Sequence, residues 1–158
     1  MIKSIHDKLL TSAKEAKNLY YRLILLVGPP ESGKTTVLNT VAEELGKDII
    51  NINLELSERL LEMTSSKRTL KVSGMFNEIF RNDKQIVILD SIEILFDVEL
   101  KQDPLSLLQK SSRNRTIIAS WSGKIKNKKL IYAGPGHPEY RTYDTNDILI
   151  VTMDKNNH

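Results

Sequence analysis

Eight residues constrain this chain more than any others: Gly28-Pro29-Pro30-Glu31-Ser32-Gly33-Lys34-Thr35. They satisfy G-x-x-x-x-G-K-[ST] at every fixed position, with an apolar run, Leu23–Val27, before them and a helical pattern, about Lys34 to Leu45, behind. A chain built this way must end a buried strand, curl its backbone N–H groups inward and enter a helix at once. The glycines permit the curl, and the helix N-terminus adds the positive end of its dipole. The result is a cradle for phosphates. Lys34 is then placed to reach the β- and γ-phosphates and the Thr35 hydroxyl to ligate Mg²⁺, with Thr36 closing the nucleotide-binding set that starts at Gly28.

A second segment supplies the partner acid. Ile86-Val87-Ile88-Leu89-Asp90 is a strand apolar on both faces that ends in a carboxylate. Asp90 at that end would hold Mg²⁺ through water.

Around these motifs strands and helices alternate. Ser4–Asp7 resembles a capping box, followed by Ile5, Leu9, Leu10, Ala13, Ala16 and Tyr20 at helical spacing. Gly46 ends the helix after the phosphate turn, and Asp48–Leu54 alternates as a strand. Ser57–Met63 and Gly74–Arg81 suggest short helices around the polar stretch Thr64–Ser73. Asp103-Pro104 starts another helix and Thr116–Trp121 forms a fourth strand. This pattern predicts an α/β fold, a P-loop NTPase core with a parallel sheet. After Trp121 the rhythm breaks. Leu130–Ala133 follows too soon for a parallel crossover, Gly134–Pro138 is a turn, and Tyr140–Tyr143 returns. A short antiparallel meander near the C-terminus is expected, with no lid domain. The whole chain, 1–158, is taken as one domain: an N-terminal helix at 1–21, the nucleotide-binding core at 22–121, a basic turn and meander at 122–147 and a final strand at 148–152.

Composition excludes several alternatives. With 40% hydrophobic and 27% charged residues the chain does not match the disorder signature, and without cysteine it can hold neither a disulfide framework nor a thiolate metal site. The apolar runs are too short to span a bilayer and the N-terminus has no apolar leader, so a cytoplasmic protein without a membrane partner is expected. His6, His137 and His158 form no metal-ligand spacing. The net charge of +3 is unevenly spread: Lys110, Arg113, Arg115, Lys124, Lys126, Lys128 and Lys129 fall in one stretch without an acid. Such a run is either a solvated face or a contact for phosphates, which makes DNA a candidate partner through Lys124–Lys129.

The room between Thr35 and Asp90 resembles the additional-strand branch of P-loop ATPases, the RecA-like and AAA+ proteins, more than small GTPases. No guanine-reading motif is visible, so ATP is the expected nucleotide. In AAA+ proteins a glutamate usually follows the Mg-binding aspartate, and that position here is Ser91. The catalytic base is then either Glu55, at the end of the neighbouring strand as in RecA-like proteins, or Glu93. Ser120 or Ser122 lies where such ATPases keep a polar γ-phosphate sensor. Arg113, Arg115 and Arg141 are arginine-finger candidates, which a homo-oligomer would present in trans.

Several segments together resemble the BrxF family, small P-loop proteins of BREX phage-defence systems. They are the phosphate turn, Asn51-Ile52-Asn53-Leu54-Glu55-Leu56-Ser57, Leu89-Asp90-Ser91-Ile92-Glu93, Trp121-Ser122-Gly123, and Tyr132-Ala133 with Gly136-His137-Pro138-Glu139-Tyr140. The resemblance implies a bacterial ATPase-like component of a multi-protein defence complex, with other BREX proteins as partners. Two other functions fit the residues. One is a binding module that holds ATP without hydrolysing it; the other is a small-molecule P-loop kinase.

Overall fold

The structure, a computed structural model, describes residues 4–153. The extremes of the expected single domain, 1–3 and 154–158, lie outside the described residues, as does His158. Helix α1 (Ile5–Ala16) is capped by Ser4, whose hydroxyl accepts the Asp7 N–H at 3.1 Å. It is shorter than expected, ending before Tyr20. Strand β1 (Leu23–Gly28) leads into the phosphate turn and α2 (Lys34–Leu45), which Gly46 stops at φ 67° with its N–H bonded back into the last turn. Glycine reaches that left-handed conformation without steric cost.

Next come β2 (Ile49–Asn51), α3 (Ile52–Leu60), α4 (Ser65–Ile79) and β3 (Ile86–Asp90). Here the structure corrects the expected strand at 48–54. Asn51 is the last strand residue, and its side chain accepts the Leu54 N–H at 3.0 Å, capping a helix at once. The polar stretch after Met63 is also helical, capped by Thr64. Serine and threonine on its exposed face obscured the periodicity. Two 3-10 turns, Glu93–Phe96 and Val98–Leu100, precede α5 (Pro104–Ser111). Its cap is Asp103, as Asp-Pro suggests.

Strand β4 (Thr116–Lys126) is longer than expected, and β5 (Lys129–Tyr132), β6 (Arg141–Asp144) and β7 (Leu149–Thr152) complete the chain. The main sheet runs in the order β2-β3-β4-β1-β7, parallel throughout. β4 therefore lies between the phosphate-turn strand and the strand ending in Asp90. That is the additional-strand arrangement of a RecA-like P-loop core. Beyond Ser122, β4 leaves β1 and pairs antiparallel with β5, which pairs with β6. The expected basic turn is thus a tight hairpin. Lys124 and Lys126 are strand residues, and Asn127 and Lys128 make the turn with φ of 53° and 63°, as two-residue hairpin turns require.

Successive residues of β1 enter opposite cores, which is why its run is apolar without alternation. Ile24 and Leu26 meet α1 and α2 on one face, while Leu23, Leu25 and Val27 meet the elements of the other. The meander packs over that second face. Trp121 is fully buried, edge-on to Phe96 at 5.1 Å between centroids, and donates from Nε1 to the Ile131 carbonyl at 3.1 Å. It anchors the hairpin from inside the core.

Candidate nucleotide-binding site

The C-terminal ends of β1, β3 and β4 meet at one cavity of about 440 Å³. Pro30, Glu31, Gly33, Lys34 and Thr35 supply one wall, and Asp90, Ser91, Glu93 and Ser122 the other. The turn holds its curl through two left-handed residues, Glu31 at φ 61° and Gly33 at φ 95°. Gly28 is needed for closeness: a Cβ there would stand 2.7 Å from the Met153 Cγ and from the Ser32 Oγ.

Lys34 is buried, and its ammonium donates to the carbonyls of Gly28 (3.0 Å) and Pro29 (2.7 Å). Burial lowers its pKa, opposed by the charges of Glu93 and Asp90. The two carbonyls hold the cation over the turn that a phosphate would enter. Asp90 is held from three sides. The Thr35 hydroxyl donates to Oδ2 at 2.6 Å, and the Ser120 hydroxyl (2.6 Å) and the Ser91 N–H (2.9 Å) donate to Oδ1. A hydroxyl and a carboxylate in contact are hard oxygen donors, the set Mg²⁺ takes when phosphates and water fill its remaining positions. Among the described residues no cluster of three His, Asp or Glu could hold a metal without such help.

The sequence left two glutamates open as base, and the structure separates them. Glu55 lies in the first turn of α3, away from the cavity, and accepts from the i+4 residue Arg59 at 2.9 Å. The helix that replaced the expected strand carried it there. Glu93 lines the cavity, half-buried. Burial raises its pKa, with the Asp90 charge adding to the rise and Asn53 and Lys34 opposing it.

Asn53 escaped the sequence reading. Its amide donates to Glu93 Oε1 at 3.4 Å and its carbonyl oxygen accepts the Ile94 N–H at 2.7 Å. Its own N–H donates to the Ser91 carbonyl at 2.8 Å. Asn53 thus ties α3 to the turn that carries Glu93. The only sequence signal was a second asparagine two residues after the cap.

The sensor candidates also divide. Ser120 is buried and spent on Asp90, whereas Ser122, two residues on, faces the cavity. None of the three arginine candidates lines it. Arg115 is corrected outright: it is buried before the start of β4, at the opposite end of the strand, with Nε donating to the Asp83 carbonyl at 2.8 Å and its guanidinium over Phe80. Arg113 stacks on Tyr20 at the same end, 4.3 Å from the ring centroid. Arg141 lies on β6 and donates to the Gln102 carbonyl at 2.7 Å. Among the described residues no arginine lines the cavity.

Residues 24–128 match the model of the ATPase family associated with various cellular activities (AAA). The chain belongs to the AAA family. The match spans the phosphate turn, Asp90 and β4. Among curated proteins, the chain is 32% identical over 83 residues to the replication factor C large subunit of Pyrobaculum arsenaticum, covering 51% of this chain and 18% of that protein. It is 30% identical over 92 residues to the Lon protease of Metamycoplasma arthritidis, covering 54% and 11%. The vesicular-fusion protein SEC18 of Candida albicans is 26% identical over 95 residues, covering 58% and 12%. The AAA domain matches only a small part of each of these proteins. The solved structure of C. elegans PCH-2 superposes with a TM-score of 0.50 at 19% identity, over 93% of this chain and 41% of that one, a likeness of fold. Membership carries nucleotide binding and hydrolysis as the family's general activity, with Mg-ATP as its usual nucleotide. Among the described residues no helix is long and apolar enough to cross a membrane.

Proposed function

We propose that this chain binds Mg-ATP between the phosphate turn and Asp90, and hydrolyses it when a second protein docks against the cavity. The observation that carries the reading is the Thr35–Asp90 contact at 2.6 Å in the cavity that Lys34 lines, with Glu93 half-buried in the facing wall. Glu93 positions water and Ser122 senses the γ-phosphate. Among the described residues no arginine lines the cavity to stabilise the transferring phosphoryl group. A trans arginine contributes about 10³–10⁵ in rate at such sites. Arg113 of a neighbouring copy, or an arginine of a larger partner, would supply it.

The Asn51–Ser57 and His137–Tyr140 segments support placing the chain in a multi-protein BREX phage-defence complex, with other proteins of that system as partners. DNA is a further candidate partner through the hairpin residues Lys124–Lys129. A second reading, nucleotide binding without turnover, is favoured by Ser91 at the position where family members keep their glutamate. Specific activity measured against protein concentration, with and without the partner, decides between them. Turnover that rises with concentration or partner supports the proposal. Fast turnover that stays constant where the chain is monomeric overturns it, and no turnover under any condition favours the second reading.

A further inference from the structure

One cleft of the molecule is larger than the nucleotide cavity. It measures about 700 Å³ and follows β7, the terminal strand of the main sheet, which pairs with β1 on one side only. Helix α1 borders it on one side and the tip of the β4–β5 hairpin on the other. Its polar lining includes Lys8 and Ser12 from α1 and Asn127 and Lys128 from the hairpin turn, and among the described residues no carboxylate lines it.

The sequence placed all the relevant cations in one run, and the structure redistributes them. Arg115 is buried, Arg113 is stacked on Tyr20, and Lys129 is paired with Asp144. Lys128 instead joins Lys8, 120 positions away in the chain, across one cleft. Both are exposed, and neither has a salt-bridge partner among the described residues. Two ammonium groups lining one recess give it a positive potential that favours an anion. The edge of β7 adds backbone N–H groups to the donors, and Ile125, Ile148 and Ile150 supply an apolar floor.

We propose that this cleft binds the sugar-phosphate backbone of a nucleic-acid single strand. The chemistry selects that ligand over its rivals. Among the described residues no aromatic ring lines the cleft, so it offers no stacking platform for a base and contact falls on the backbone. A second copy of the same edge would bring lysines against lysines. Backbone recognition by ammonium, amide and hydroxyl donors is sequence-tolerant and steeply salt-dependent. The site also adjoins the nucleotide: β7 runs into Met153, whose N–H donates to the Val27 carbonyl at 2.8 Å and whose side chain abuts Gly28.

The inference deepens the reading of the hairpin as a phosphate contact, and the test separates the two. The measurement is fluorescence anisotropy of labelled oligothymidylate across a salt series, with and without Mg-ATP. The wild-type chain binds with an affinity that falls as salt rises. In Lys8→Ser/Lys128→Ser the slope of log affinity against log salt shrinks by about 1.4, two contacts at about 0.7 each. The control Lys14→Ser/Lys110→Ser removes the same charge away from the cleft and leaves the slope unchanged, and circular dichroism verifies the fold of both. Equal slopes in the two double variants overturn the proposal, as does duplex binding as tight as single-strand binding. A poly-glutamate peptide that displaces the oligonucleotide more effectively than unlabelled oligothymidylate assigns the edge to an acidic protein and also overturns it. If Lys124→Ser/Lys126→Ser alone abolishes binding, the hairpin reading stands and the cleft proposal falls; if nothing binds at low salt, both fall.

Discussion

Replacing Glu93 by glutamine separates the chemistry of this site from its architecture. The side chain is half-buried at the cavity wall, within reach of the Asn53 amide, and the change preserves its volume and its acceptor oxygen. What it removes is the negative charge and the ability to take a proton from water. Loss of a positioned general base costs about 10²–10⁴ in rate, or about 3–5 kcal/mol of barrier. ATP affinity should survive, because Lys34, Thr35 and Asp90 are untouched. A second signature follows from the raised pKa. Between the ordinary glutamate value of 4.5 and the raised native value, the folded state binds more protons than the unfolded one, so stability falls as pH rises through that window. Above it the wild type carries a desolvated carboxylate beside Asp90, and Glu93→Gln does not. The variant should therefore melt at higher temperature than the wild type near neutral pH, with the gap narrowing toward about pH 4. Phosphate release at saturating ATP with partner present reads the first effect, and thermal melts across the pH range read the second. Turnover within a few-fold of wild type would refute the catalytic role. Equal melting at neutral pH would refute the burial argument.

Asp90→Asn should weaken Mg-ATP binding more than metal-free ATP binding and lower stability by about 1–3 kcal/mol, since an amide cannot accept from Thr35, Ser120 and the Ser91 N–H together. Calorimetry with and without Mg²⁺ measures the difference; equal losses would make Asp90 a structural residue only. Gly123→Ala should destabilise the fold by about 1–3 kcal/mol, because its Cβ would lie 2.0 Å from the Ile131 carbonyl oxygen, backbone that cannot swing aside. An unchanged denaturation midpoint would show that the hairpin is not so closely held.

The parts legible in the sequence are those whose chemistry demands a fixed local pattern. The phosphate turn, the apolar strand ending in Asp90, the Gly46 stop and the Asp103-Pro104 start each carry their signal within a few residues. The errors share a different cause. Asn51 and Asn53 alternate with isoleucine as strand residues would, yet one caps a helix and the other tethers Glu93 across 40 positions. Propensity cannot register a side chain whose partner is distant. Arg115 looked like the other surface arginines because nothing local reveals that Asp83 and Phe80 enclose it. Lys8 drew no attention for the same reason. Its position opposite Lys128 exists only once β7 has joined the sheet edge.

Every role proposed for this site depends on Lys34 and its turn binding the phosphates of Mg-ATP. Calorimetric titration of Mg-ATP into the wild type and Lys34→Ala tests it most directly. Binding to the wild type should be saturable and Mg²⁺-dependent, with a severe loss in the variant, whose backbone cradle remains while its cation is gone. Circular dichroism should show the variant folded. Unchanged affinity in a folded Lys34→Ala chain would remove the turn from its role in phosphate binding.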